Sequence, residues 1–445
     1  MIWKPEEARR VLERSIKLSR GKDVLARLSG GGTRNTRFAV GEITSTGEAE
    51  SAELSVQVAF GNRHGTASVN QFDDATLRRC VETAEEMAQL SPEDPEFMPV
   101  LGPQKYDQPR AAWDAKTAAF SADDRARAVA ACLEPARAAK LTAAGFIETG
   151  ARFQAVATSA GLFGYAAHTS ADVSCTFRTS DGTGSGWAHA NSNRVGDLDF
   201  GRVARIATDK AQRSQQPQKL DPGEYTAVLE PAAVADLVGY LTFTMDARSA
   251  DEGRSFFAKP GGGTRVGERL LGRFSLSSDP AHALAPAQPF DGDGLPLRKM
   301  AWFEDGELKS LLWSRYWAKN KGHAPTGRPA NRILRASGPT HTIEDMVKST
   351  ERGLLVTRFW YVRFLEPERV SLTGLTRDGT FWIENGQIKR PVKNFRFNQE
   401  VVACLAGAEM ASQPVRVSTG EGTGPTVVPA IKAKGFHFAS ISDAV

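Results

Sequence analysis

The side chains best suited to chemistry are spread thinly along this chain. Seven histidines, His64, His168, His189, His282, His323, His341 and His437, are scattered over 445 residues. No two are four residues apart and there is no HExxH, the spacing that sets two imidazoles on one helix face to hold zinc. Ligands converging from distant segments stay open. His168 and His189 flank Cys175 in strand-rich sequence. A Cys–His pair would need sulfur and ring within hydrogen-bond reach and an activated thiolate; packing is the plainer account. Cys80, Cys132, Cys175 and Cys404 form no CxxC motif, so buried free thiols are expected.

Glycine supplies the other candidates. Gly261–Gly263, within KPGGGTRVGE, and the GGGT at Gly30–Thr33 both lack the GxxxxGK[ST] order of a phosphate loop. Both read as flexible loops, and Gly261–Gly263 as a mobile one. No GxSxG elbow is present. The segment STGEGTGP, Ser418–Pro425, holds more promise. A glycine-rich turn can offer backbone N–H groups to a ligand or admit a peptide closely, so Gly420, Glu421, Gly422, Thr423 and Gly424 form a candidate peptide cleft.

The elements that must position these residues alternate between helical and strand periodicity. Glu6–Leu18 reads as an amphipathic helix with Val11, Leu12 and Ile16 on one face. Leu54, Val56, Val58 and Phe60 alternate before a glycine-containing return, as in a hairpin. Asp73 or Asp74 suits the start of the next helix, and Ser121 with Asp124 resembles a capping box for another. Between those helices lies a long connection punctuated by Pro92, Pro95, Pro99, Pro103 and Pro109. A further helix covers residues 200–212. The polar segment RSQQPQKLDPGE marks a boundary, dividing the chain into 1–217 and 218–445. After it, Tyr225–Leu229 reads as a strand and Ala232–Met245 as a helix. WFEDGELK at Trp302–Lys309 and WIENGQIK at Trp382–Lys389 are both hairpin signals. Without a regular strand–helix–strand rhythm, the class is α+β with antiparallel sheets.

Composition narrows the function. There are 56 Lys+Arg against 52 Asp+Glu, a formal net charge of +4. The charges are interspersed, as where Arg9 and Arg10 lie beside Glu6, Glu7 and Glu13, so no nucleic-acid-binding stripe emerges. The opening MIWKPEEARR has no signal-peptide apolar region. No apolar run approaches the ~18 residues of a membrane span. The cytoplasm is the expected compartment, with no membrane partner.

Residues 225–239, YTAVLEPAAVADLVG, resemble the strand-to-helix segment of the TldD/PmbA family. The resemblance extends through LWSRYWAKNKGHAPTGRPANRILRASGPTHTIEDMVKSTERGLLVTRF at Leu312–Phe359 and FWIENGQIKRPVKNFRF at Phe381–Phe397. It implies a two-domain α+β fold with a β-rich, barrel-like C-terminal domain. In the family's metallopeptidase branch, an HExxxH helix and a cysteine from a C-terminal glycine-rich loop hold the metal, and peptides are cleaved in a chamber formed with a partner subunit. The other branch lacks that set and associates with the catalytic subunit. Members have been linked to peptide maturation, toxin–antitoxin turnover and modulation of DNA gyrase. In ADLVGY, Ala235 stands at the first histidine, Asp236 at the glutamate and Tyr240 at the second histidine. Glu421 or Gly422 falls where the cysteine would be.

Alanine carries no ligand atom, and a neutral tyrosine is a poor substitute for imidazole. The resemblance therefore implies a non-catalytic subunit with no cofactor of its own, zinc in a TldD-like partner, and peptide as substrate; a homodimer is an alternative assembly. Two other readings are a divergent peptide hydrolase using Asp236, His323, His341 and Glu421, and a stand-alone peptide- or protein-binding module.

Overall fold

The computed structural model describes residues 2–107, 109, 111–418 and 424–443. Its first sheet comprises β1 (Asp23–Ala39), β2 (Glu42–Phe60), β3 (Arg63–Val69), β4 (Thr142–Thr158), β5 (Phe163–Arg178) and β6 (Ser185–Ser192), in the order β3-β2-β1-β4-β5-β6. Every neighbouring pair is antiparallel. Alternation decides what each face does. Along β5, Ala171, Val173, Cys175 and Phe177 are all buried, while the residues between them are half-exposed.

Four helices cover that buried face. α1 (Pro5–Leu18) and α2 (Asp74–Leu90) place Ala8, Leu12, Leu77 and Val81 against Val24, Ala26, Val56 and Val58. α2 starts where Asp73 accepts a hydrogen bond from the Thr76 amide at 3.0 Å. After the short α3 (Ala115–Ala118), α4 (Ala122–Ala138) and α5 (Phe200–Arg213) pack Cys132, Leu133 and Ala207 on Ile147, Val173 and Phe177. The Ser121–Asp124 capping box opens α4. The opposite face buries Leu25, Val156, Leu162 and Ala166 against Phe290 from the C-terminal half.

The GGGT segment is not a loop. Gly30–Thr33 lies in the middle of β1, paired with both β2 and β4. A Cβ on Gly31 would sit 2.1 Å from the Ala151 carbonyl oxygen, and the residue's φ is +139°. Glycine is used there to let two backbones approach, not to loosen the chain.

The C-terminal half contributes β7 (Gly223–Leu229), β8 (Phe274–Ser278), β9 (Met300–Glu304), β10 (Glu307–Leu308), β11 (Arg332–Ala336), β12 (Arg352–Glu366), β13 (Ser371–Glu384), β14 (Gln387–Pro391), β15 (Phe395–Glu400), β16 (Ala408–Ala411), β17 (Val415–Val417), β18 (Thr426–Val428) and β19 (Ile431–Ile441). The expectation of a barrel-like domain is corrected here: these strands do not make one closed barrel. They divide into a six-stranded sheet, β10-β9-β8-β11-β18-β17, and a seven-stranded one on the path β12-β7-β19-β15-β13-β14, with β16 beside β19 and a further β12–β13 pairing. The division follows from a helix between the sheets, which fills the space that a barrel would close around. Pairing is mostly antiparallel, with β11–β18 and β7–β12 parallel.

That helix is α6 (Pro231–Phe243), which contacts β7 and β12 of one sheet and β11, β17 and β18 of the other. Val234, Leu237, Val238 and Leu241 are fully buried. Each such side chain contributes about 1.5–3 kcal/mol of apolar burial. Both hairpin signals form. Asp305–Gly306 and Asn385–Gly386 all have positive φ, as a two-residue I′ turn requires. Trp302 and Trp382 are only 1% and 4% exposed, so these rings pack the interior and are not available as surface anchors.

Candidate functional site

α6 turns one face toward a cavity of about 1280 Å³ between the two halves of the chain. Asp236, Gly239, Tyr240 and Phe243 line it, a spacing of three, one and three residues that marks a single helical face. Ala235 is fully buried. The facing wall comes from the N-terminal half: Asp23 and Leu25 of β1, Gln57 and Ala59 of β2, and residues 94–100. A third wall comes from residues 291–297, 312–316 and 327–332, with Gly424.

Each wall is fixed by polar contacts. On the N-terminal side, His64 Nε2 lies 3.1 Å from Asp94 Oδ2, and the His64 ring stacks on Phe97 with centroids 5.7 Å apart. The Glu96 amide, together with His64, holds the Asp94 carboxyl below the usual carboxylate range. Glu96 accepts from Arg248 Nη1 at 2.8 Å, joining the N-terminal wall to the C-terminal half. On the third wall, Asp291 accepts from the Asp293 and Leu295 amides at 2.9 Å each. Burial nevertheless pushes the Asp291 carboxyl up. Arg332 donates from Nε to Thr242 Oγ1 at 2.7 Å, in the last turn of α6, and burial pulls its guanidinium pKa down.

Segment 288–294 crosses to the first sheet and ties the halves together. Arg27 Nε donates to the Gly292 carbonyl at 2.7 Å, Tyr106 Oη to the Gly294 carbonyl at 2.7 Å, and Gln288 Nε2 lies 3.0 Å from His168 Nδ1. Burial pushes the Tyr106 hydroxyl up to about 12.

The residues singled out from sequence scatter. Asp236, Tyr240 and Gly424 share the cavity. His323 is exposed and stacks on Trp313 with centroids 4.0 Å apart; Trp313 lines the cavity and His323 does not. His341 is half-buried elsewhere, its amide donating to the Ala411 carbonyl at 2.9 Å. Gly420, Glu421, Gly422 and Thr423 lie outside the described residues. The Cys175–histidine pairing fails on strand parity. His189 sits opposite Ser174, so its ring projects from the face that Cys175 turns away from. It meets Asp172 at 2.8 Å and stacks on Trp187. Cys175 is instead buried beside Cys132, whose sulfur, with burial, pushes its thiol pKa strongly up.

Sequence reasoning missed most of the cavity wall: His64, Asp94, Phe97, Asp291, Arg315 and Arg332. The proline-punctuated connection was the one available signal, since residues 94–100 run without helix or strand along the cavity.

A zinc ion does not fit the α6 residues. Ala235 offers no donor. The Tyr240 hydroxyl donates to the Val362 carbonyl, and its ring packs edge-on against Phe364 at 4.9 Å. Among the described residues no group of three or more His, Cys, Asp or Glu side chains is placed to hold a metal.

These features define a two-domain α+β protein whose large interdomain cleft is lined by one face of α6. Three parts of one family match it in order: PmbA/TldA metallopeptidase domain 1 at residues 26–88, the central domain at 110–215 and the C-terminal domain at 222–440. The chain belongs to the TldD/PmbA metallopeptidase family, which includes a branch without the metal set. It is 23% identical to the metalloprotease PmbA of Escherichia coli, over 98% of both chains. It is 25% identical to a zinc metalloprotease TldD homologue of Saccharolobus solfataricus, over 46% of this chain and 48% of that one. The fold matches the crystal structure of TldE from Thermococcus kodakarensis with a TM-score of 0.85 at 19% identity, covering 98% of this chain and 99% of the other. A Thermotoga maritima structure, named for a modulator of DNA gyrase, matches with a TM-score of 0.81 at 18% identity, over 96% and 99% of the two chains.

Proposed function

We propose that this chain is a non-catalytic, TldE-like subunit of a cytoplasmic peptide-processing assembly, and that a TldD-like partner supplies the zinc. The observation that carries the reading is the state of α6. The helix is locked in a complete core, yet Ala235 has no donor and the Tyr240 hydroxyl is committed to a backbone carbonyl. Without a metal to polarise a carbonyl and acidify water, Asp236 is an inadequate apparatus for peptide hydrolysis. What the chain retains is the cleft itself, large enough for an extended peptide and walled by both halves. In an assembly this cleft would form part of the chamber and hold peptide toward the partner's metal.

The test is co-purification with a TldD-like homologue from the same cell, followed by peptide cleavage assays of each chain alone and together, with metal content measured on each. Metal in the partner and cleavage by the pair beyond the partner alone are expected. Stoichiometric transition metal in this chain, or cleavage by this chain alone that is abolished by Asp236→Asn, would refute the proposal in favour of a divergent hydrolase. Folded chains that fail to associate over a concentration series would leave a stand-alone binding module.

A further inference from the structure

The first sheet ends on an incomplete edge. β3 pairs with β2 only from Leu54 to Phe60. From Glu42 to Glu53, β2 pairs with β1 alone among the described residues. Every residue of that stretch except Gly47 and Ala52 is exposed. In an antiparallel ladder alternate N–H and C=O groups point away from the partner, so the stretch offers solvent a row of backbone donors and acceptors. β1 is itself paired with β4 along the same length, which makes the edge a supported wall rather than a loose hairpin. Natural edges are usually blunted by proline, by charged side chains, lysine above all, or by bulges; the charges on this edge are glutamates, which repel a like-charged strand but not a basic one. Here a single register shift lies near the tip, between Arg37 and Phe38, and the ladder from Ser45 to Phe60 is regular.

The charge along this edge has one sign. It carries Glu42, Glu48, Glu50 and Glu53 and no lysine, arginine or histidine; Glu48 and Glu50 already have partners within the chain, and Glu42 and Glu53 lie exposed at the two ends of the stretch. β1 answers it from the inner side: Arg34 lies opposite Glu48, with a 3.5 Å ion pair, and Arg125 of α4 reaches the same carboxylate at 3.2 Å. A second copy added antiparallel would set glutamates against glutamates, and like charges on neighbouring strands are destabilising. A strand bearing lysine or arginine would continue on the outer side the acid–base pairing already present on the inner side. We infer that the Glu42–Glu53 edge docks an extended, lysine- or arginine-bearing segment of a partner protein by strand addition. The edge lies at the far end of β2 from the cavity-lining Gln57, roughly 30 Å from Glu48 at the rise of an extended strand, so this inference stands apart from the function proposed for the cleft.

The probe is a fluorescein-labelled peptide of about ten residues, the length of a long strand, alternating lysine with valine and threonine. It is titrated into the intact protein at low salt and followed by anisotropy, with hydrogen exchange read along β2. Saturable binding and slowed exchange of alternate amides between Glu42 and Glu53 are expected. Ala49→Lys/Ser51→Lys, which adds like charge without removing an ion pair, weakens binding about tenfold, with circular dichroism confirming that the variant is folded. The same peptide N-methylated at alternate residues cannot complete the ladder and does not bind. Equal binding of the N-methylated peptide would reduce the effect to charge alone and overturn strand addition. Protection confined to cavity residues, or protection of Glu42–Glu53 through concentration-dependent self-association without peptide, would also overturn the inference, the last in favour of a second copy.

Discussion

Replacing Asp378 by asparagine removes the charge from an enclosed ion pair at the junction of the two halves. The side chains of Arg358 and Asp378 are 13% and 1% exposed. Arg358 Nε donates to Asp378 Oδ2 at 2.7 Å, and Ser185 of β6 donates from its hydroxyl to Oδ1 at 2.6 Å. The guanidinium lies over Trp187 at 4.6 Å and Trp360 at 5.1 Å. Asparagine is the informative substitution because Asp378 has φ of 53°, a conformation that asparagine adopts more readily than alanine. Asp378→Asn keeps an acceptor for Ser185 but takes the carboxylate from Arg358. Breaking a buried pair in this way costs about 3–5 kcal/mol. Ser185→Ala removes one hydrogen bond to a charged group and costs about 1.5–3 kcal/mol. Against a total stability of ~5–15 kcal/mol, the first change alone shifts the urea midpoint strongly. Arg358→Met completes a double-mutant cycle with Asp378→Asn. The double variant is less destabilised than the sum of the singles by about 1–3 kcal/mol. A cost below about 1 kcal/mol for Asp378→Asn, or additivity of the singles within about 0.5 kcal/mol, would refute the assignment of a coupled buried pair.

Other expectations can be checked by the same methods. Burial pushes the Glu85 carboxyl up, but the Arg20 amide and guanidinium and the Ser19 hydroxyl outweigh it and leave the pKa lowered. The resulting stability is complete above the unfolded value of about 4.3 and is lost as pH falls through the folded value. Glu85→Gln therefore destabilises the protein at neutral pH, and its deficit narrows on acidification; a deficit independent of pH between 7 and ~2 would contradict this linkage. Gly31→Ala drives a methyl into the Ala151 carbonyl and costs more than about 3 kcal/mol. Gly182→Ala, with φ of +71° and open space around it, costs only about 1 kcal/mol by the same denaturation assay. Gly261 and Gly263 exchange their amides far faster than the α6 helix, and protection there equal to that of α6 would remove the expectation of a mobile loop.

Local chemistry was the legible part of the sequence. The Asp73 cap, the Ser121–Asp124 box, the Asp305–Gly306 and Asn385–Gly386 turns and the helix after Leu229 all depend on contacts a few residues apart, and their residue types announce them. β1 was hidden because Gly30–Gly32 looks like a break in the chain. Only the approach of Ala151, from a strand far along the sequence, makes glycine the residue that fits there. The cavity was legible on one side only. α6 has helical periodicity and a family resemblance, whereas residues 94–100 and 291–297 have neither, and gain meaning by lying opposite it. His189 and Cys175 show the converse failure: closeness in sequence meant little once alternate residues of neighbouring strands were sent to opposite faces. The division of the C-terminal strands into two sheets also depends on where α6 lodges, which hairpin signals do not encode.

The crossing segment 288–294 gives the cleft a mechanical character. Its ties to Arg27, Tyr106 and His168, with Phe290 set into the apolar face of the first sheet, span the gap that any hinge would have to open. The two halves thus resemble jaws that are strapped as well as packed. Widening the cleft would first require breaking those ties, so its aperture is set by the strap as much as by the packed walls.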